Sequence, residues 1–185
     1  ENLEDKEFEK ELLLNDKKVE ARPLSVDGWL GQEQIFEHPN GVYKEYLAQS
    51  EADKNDRAII RSWDFDKLSN YDAKTPDGRI KIVSREREVL TKIKRENRDL
   101  YEHCVSSLTI PSRDKITSQY NEVVELPHGH ERLNDFIATY GENLSADERI
   151  NLVKVLVARF ADLHELQLAH RDIGKHSIWL STGPD

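Results

Sequence analysis

The chain has 185 residues, 37% hydrophobic and 34% charged, with a formal net charge of −9, which excludes wholesale disorder and a surface built throughout to grip nucleic acid. No apolar run approaches the roughly 20 residues a bilayer span needs, and the lone cysteine, Cys104, allows neither an internal disulfide nor a multi-thiolate metal site. A folded cytoplasmic body is expected, with Cys104 as a small core residue.

The acidic start, with seven acidic and two basic residues in 1–16, reads as a short charged helix over 3–14. From Val19 to Phe65 the texture is strand-like: "GWLGQEQIFEHPNG", "VYKEYLA", a polar link "QSEADKND", then "RAIIRSWDF". Asn40-Gly41 between two such runs predicts a hairpin turn, since both residues tolerate positive φ. The segment "NYDAKTPDG" is expected to be a loop. A helix follows from about Ser84 to Leu100, with Val89, Leu90 and Ile93 on one side. It lies within 79–98, where eight basic residues face three acidic ones; a solvated helix face is the default, and a contact with the acidic start the alternative. "SSLTIPS" and "YNEVVELP" predict two more strands. "ERLNDFIATYG" predicts a helix ending in a left-handed cap at Gly141. The strongest helix pattern is Ala146 to Leu168, opened by Ser145 and Glu148 in capping-box spacing. Its stripe of Ile150, Val153, Leu156, Val157, Phe160 and Leu163 is expected to be buried on one side.

The order of elements suits an α+β unit passing into a helical one. The expected division is a charged extension over 1–18, a sheet-rich unit over 19–126 and a helical part over 127–185. With no methionine and a polar end at "STGPD", the chain is expected to be a piece of a longer, multidomain protein.

The polar loop "AHRDIGKHSIWL" follows the last helix. Asp172 lies one residue from Arg171 and three from Lys175, so its carboxylate stays ionised at neutral pH, ready to accept a proton or hold a metal. On its own the loop also reads as basic residues complementing a helix C-terminus. Histidines at 128 and 130, or at 164, 170 and 176, lack the spacing and partners of a metal site. Trp29, Trp63 and Trp179 read as packing residues.

"HRDIGKHSIWL" resembles the protein-kinase catalytic loop, and three further pieces in order extend the resemblance over about residues 19–185. "DRAIIRSWDF" resembles the strand carrying that family's ATP-binding lysine, "SREREVLTKI" its regulatory helix, and "VVELPHGHERLNDFI" its last sheet strand, interlobe hinge and first helix beyond. The resemblance implies a five-stranded antiparallel N-lobe sheet with one helix, followed by the first helices of a C-lobe. It further implies ATP and Mg²⁺ as cofactors, a protein Ser or Thr hydroxyl as acceptor, and no direct nucleic-acid or membrane partner. Asp172 then matches the catalytic base, and His170 and Arg171 match residues that brace the loop. Glu86 matches the helix carboxylate paired with the strand cation, with Glu88 as the second choice. Val124, Glu125 and Leu126 match the hinge that holds the adenine, and Gly41 and Val42 the end of the phosphate-covering loop.

Departures from the pattern have physical consequences. Arg61 stands where the lysine would be, a planar fork unsuited to the same ion-pair geometry. Ser177 replaces the metal-binding Asn, and Gly174 a lysine aimed at the transferred phosphate, with Lys175 within reach of the same space. Pro127 cannot donate a hinge N–H. The Asp-Phe-Gly magnesium ligand would fall about 15 to 20 residues past the loop, beyond residue 185, so these residues alone are expected to be inactive. A pseudokinase, which keeps the fold without efficient transfer, is the alternative. A small-molecule phosphotransferase of related fold is a third, weakened by Arg171 where those enzymes carry glycine.

Overall fold

The computed structural model describes residues 24–170 and 173–181. The expected helix over 3–14, its contact with the basic helix, and the positions of Arg171 and Asp172 lie outside them.

Alternation of inward and outward side chains drives the main sheet. Strands β1 (Ser25–Val26), β2 (Trp29–Glu37), β3 (Tyr43–Ser50), β4 (Arg57–Asp64) and β5 (Gln119–Glu125) form five antiparallel ribbons in the order β1-β2-β3-β4-β5. The β2–β3 connection turns at 38–42, where Gly41 N–H donates to the His38 carbonyl at 2.7 Å. Of the two predicted turn residues only Gly41 takes positive φ, at +67°. "SSLTIPS" is not a full strand: it makes one isolated bridge, Ser107 to Val124, and the fifth strand is the two-residue β1.

One side of the sheet gathers Ala48, Ala58, Ile60 and Val123 under Leu24, Val26, Trp29 and Tyr46. A second cluster, Phe65, Ala73, Val83, Ile116 and Tyr120, joins the sheet to helix α1 (Pro76–Glu96). That helix starts eight residues before the sequence pattern suggests. Thr75 caps it, its hydroxyl accepting from Gly78 N–H at 3.1 Å with Pro76 in the first turn, a position where proline's missing N–H costs nothing. Gly78 is required there, because a Cβ would come within 2.1 Å of the Asp72 carbonyl. The helix also ends early, at Asn97, whose side chain caps a separate short helix α2 (Arg98–Glu102).

Beyond β5, strand β6 (His130–Arg132) leads straight into α3 (Leu133–Tyr140), and α4 (Ala146–Glu165) follows. Strand β7 (Trp179–Ser181) returns antiparallel to β6, pairing Arg132 with Trp179 and His130 with Ser181; of the polar end expected at 181–185 all but Ser181 lies outside the described residues. Gly141 is not left-handed: it sits at φ −59°, ψ −34° and its N–H donates to the Ile137 carbonyl at 2.9 Å, continuing the helical bonding past Tyr140. The Ser145–Glu148 capping box forms as the spacing predicts. The expected burial of the α4 stripe does not occur. Ile150, Val153 and Val157 are 51%, 58% and 62% exposed. The helix meets α1 and α2 near its C-terminal end, through Arg159 to Asp99 at 2.6 Å and Lys92 to the Leu166 carbonyl at 2.7 Å, and nothing among the described residues covers the stripe's N-terminal half.

Stability therefore concentrates in the sheet and α1. Phe65→Ala is expected to cost about 3–5 kcal/mol in urea unfolding, whereas Val157→Ser on the open stripe changes stability by no more than about 0.5 kcal/mol. Equal costs at the two sites would contradict this distribution.

Candidate functional site

Strand register builds the site. Arg61 in the middle of β4 stands opposite Glu45 on β3 and Glu122 on β5, so three charged residues form one row across adjacent strands. Opposite charges at facing positions attract directly. Arg61 Nε donates to Glu45 Oε1 at 2.9 Å, and Nη1 lies 3.5 Å from Glu122 Oε1. Nη1 is also 3.6 Å from Glu86 Oε2, reaching across from the sheet to α1. Trp63 Nε1 donates to Glu122 at 2.9 Å, and the guanidinium carbon lies 5.1 Å from the Tyr43 ring centroid. The Glu45 and Glu122 side chains are 1% and 5% exposed, so the row lies largely out of water, where charge pairs are strong only if each charge is matched.

A second guanidinium enters from the other side. Arg132, at the end of β6, donates to the second oxygen of Glu45 and to the His176 carbonyl. Its plane is held between two rings, 4.7 Å from the Phe36 centroid and 4.5 Å from that of Trp179. Phe36 in turn stacks on His176 at 5.5 Å. Burial pulls the Arg132 guanidinium below its ordinary value. This cluster ties β2, β3, β6, β7 and the 173–178 loop together.

Among the residues singled out in the sequence, Arg61 and Glu86 come together. Val124 is buried in β5 beside Ile59 of β4. Glu125 spends its N–H on the Ser106 carbonyl at 2.9 Å and its carboxylate on Ser106 N–H at 3.2 Å. Leu126 is half-buried, and the Pro127 carbonyl accepts from His130 N–H at 3.3 Å, closing the turn into β6. Val42 is buried, with its carbonyl accepting from Asp64 N–H at 2.9 Å. Ser177 turns inward on its own loop: its hydroxyl donates to the Gly174 carbonyl at 3.0 Å and accepts from Gly174 N–H at 3.1 Å. Lys175 is exposed at the tip of that turn, and His170 packs edge-on against Phe160 at 6.0 Å.

Sequence reasoning missed Glu45, Glu122 and Arg132. One signal was present: Glu45 sits in "VYKEYLA" in phase with Tyr43 and Leu47, a charge on the inward face of a strand.

Chemically, two guanidiniums share one carboxylate, and planar N–H forks suit carboxylate and phosphate oxygens alike; with Glu86 and Glu122 the cluster sets three carboxylates against two guanidiniums. Glu86 and Glu122 also line a cavity of about 220 Å³ between α1 and residues 101–111, with Leu90, Thr109 and Tyr101. Among the described residues no group of three or more His, Cys, Asp or Glu is placed to hold a metal ion. No protein-family model matches the chain, and no curated protein matches it.

Burial raises the Glu86 carboxyl above its ordinary value; Arg61 pulls it back down and Glu122 pushes it further up. A raised carboxyl holds its proton more tightly folded than unfolded, so the stability it gives below the unfolded value is lost as pH rises through the folded one. Glu86→Gln is therefore expected to flatten the decline in unfolding free energy just above pH ~4.3. Urea titrations at successive pH values read it; parallel curves for wild type and variant would refute the assignment.

Proposed function

We propose that these residues form the nucleotide-binding part of an ATP-dependent protein-kinase-like phosphotransferase, with Mg²⁺ as its metal and a protein Ser or Thr hydroxyl as acceptor. The observation that carries this reading is the 3.6 Å pairing of Arg61 with Glu86, a strand cation held by a helix carboxylate within a five-stranded antiparallel sheet. Supporting it, the chain leaves the last strand of that sheet through a short connection at 126–129, passes into helices, and returns through β7 to pair with β6, with His176 stacked on Phe36 of β2. In this reading Arg61 binds phosphate oxygens, the 124–126 segment lies along the adenine, and Asp172 receives or orients the acceptor's proton. The chain would be one part of a larger cytoplasmic protein.

The pseudokinase reading draws on two contacts. Arg61 is surrounded by three carboxylates, and the Ser177 hydroxyl is engaged in its own turn. The first weighs against phosphate binding at Arg61 and the second against fast chemistry.

Differential scanning fluorimetry separates these readings from an unrelated function. ATP with Mg²⁺ at about a hundred times its dissociation constant adds about 2.7 kcal/mol, which raises the melting temperature of a chain this size by about 5–10 °C; Arg61→Ala removes most of that shift. An identical melting temperature with and without ATP-Mg²⁺ would overturn both. In the parent protein, Asp172→Asn is expected to lower phosphate transfer at least ~100-fold if the chain is a kinase, and to leave a pseudokinase's nucleotide shift in place.

A further inference from the structure

The Glu45 carboxylate is used in an unusual way. Its two oxygens serve two different guanidiniums, Arg61 through Oε1 at 2.9 Å and Arg132 through Oε2. A phosphate group bridges paired arginines in the same manner, one oxygen to each. Arg132 is anchored by elements outside the main sheet: its ring partners are Phe36 and Trp179, and its other N–H contact is the His176 carbonyl. The row of Glu45, Arg61 and Glu122 already places three carboxylates, with Glu86, around one guanidinium. Arg61 therefore keeps two carboxylate neighbours if Glu45 lets go, whereas Arg132 gives up its ion pair and keeps only the more distant charge of Asp135.

We propose that Arg132 is the second guanidinium of the phosphate site and that Glu45 is its built-in competitor, occupying the place between Arg61 and Arg132 that a polyphosphate takes when Glu45 is displaced. The inference rests on the nucleotide reading for the identity of the ligand, but the competition itself is a property of any polyphosphate at this place. The ion pair closes the site, because Glu45 and Arg132 are 1% and 6% exposed and the Arg132 fork lies against Phe36 and Trp179. Binding then requires the pair to open, and the affinity of the protein for phosphate reflects the cost of parting Glu45 from Arg132. Arg132 acts here as a binding residue and Glu45 as an autoinhibitory one.

The two partners of one ion pair should then act with opposite sign, which a purely structural pair would not do. Inorganic tripolyphosphate and ATP are each titrated calorimetrically into wild type, Glu45→Gln and Arg132→Gln, with circular dichroism reporting the fold. Glu45→Gln is expected to bind tripolyphosphate about tenfold more tightly than wild type, the worth of one charge-assisted hydrogen bond, and Arg132→Gln at least about tenfold more weakly. Should Glu45→Gln not fold, Glu45→Asp keeps the charge beside Arg61 while shortening the reach to Arg132, and is expected to strengthen binding in the same direction. Folded Glu45 variants that bind tripolyphosphate no better than wild type, or an Arg132→Gln protein that binds it equally well, would overturn the proposal. Opposite shifts for tripolyphosphate with no ATP binding in any variant would support the competition while refuting the nucleotide reading.

Discussion

One guanidinium sets the terms for the structure around it. Arg61 lies at the centre of the sheet, its side chain only 18% exposed, and a charge so placed must be matched on every accessible side or the fold loses several kcal/mol. Three carboxylates from three different elements supply the match: Glu45 from β3, Glu122 from β5 and Glu86 from α1. The strands must pair in the observed register, because a slip of one residue would turn Glu45 or Glu122 to the other face of the sheet. The helix must lie where Glu86 can approach. The surplus of negative charge around Arg61 is relieved by a second cation, and Arg132 provides it. Charge balance at one point thus links the sheet, the helix and the short β6–β7 ribbon.

The choice of arginine over lysine at 61 follows from the same geometry. A lysine ammonium is a point charge on a flexible stem, whereas arginine offers five donors in a fixed plane. Only the fork can address Glu45 through Nε and Glu122 and Glu86 through Nη1 at once while its face rests on Tyr43. The cost appears at Glu86, where 3.6 Å is longer than a charge-assisted hydrogen bond. Arg61 is held more tightly by Glu45 on the neighbouring strand, at 2.9 Å, than by Glu86 on the helix.

How much of this could be read from the sequence depended on range. Alternation along β3, β4 and β5 is local, and so is the capping box of Ser145 and Glu148, in which the Glu148 carboxyl is held below its ordinary value by the Ser145 side chain and backbone. These elements were legible. The start of α1 was hidden because Thr75, Pro76, Asp77 and Gly78 read as a turn until the 310 segment Tyr71–Lys74 packs on Gly78 and fixes the cap. Strands of two or three residues, β1, β6 and β7, carry too little periodicity to announce themselves. The site was partly legible for the same reason: Arg61 and Glu86 stood out through their likeness to a known pattern, but Glu45 and Glu122 are joined to Arg61 by strand register across 16 and 61 positions of sequence, and Arg132 to Glu45 by a side-chain contact across 87, and no window along the chain contains them together.

The contrast between the two halves of the described chain bears on how such a site could respond to a ligand. The sheet side is closed: Ile59, Ile60, Val123 and Val124 are at most 1% exposed, and packing at that density transmits displacement without absorbing it. Beyond residue 127 the contacts are fewer and more polar, with α4 held near its end by Arg159 and Lys92 and its apolar stripe open. A rigid platform facing a lightly held one is the arrangement in which a single buried ion pair between them can set their spacing. Glu45 and Arg132 are that pair: one belongs to the rigid sheet, the other to the ribbon that leads into α3. Any anion that separates them acts on the junction itself, so binding at the site and the relative placement of the two parts are bound to be coupled, by the same free energy in both directions.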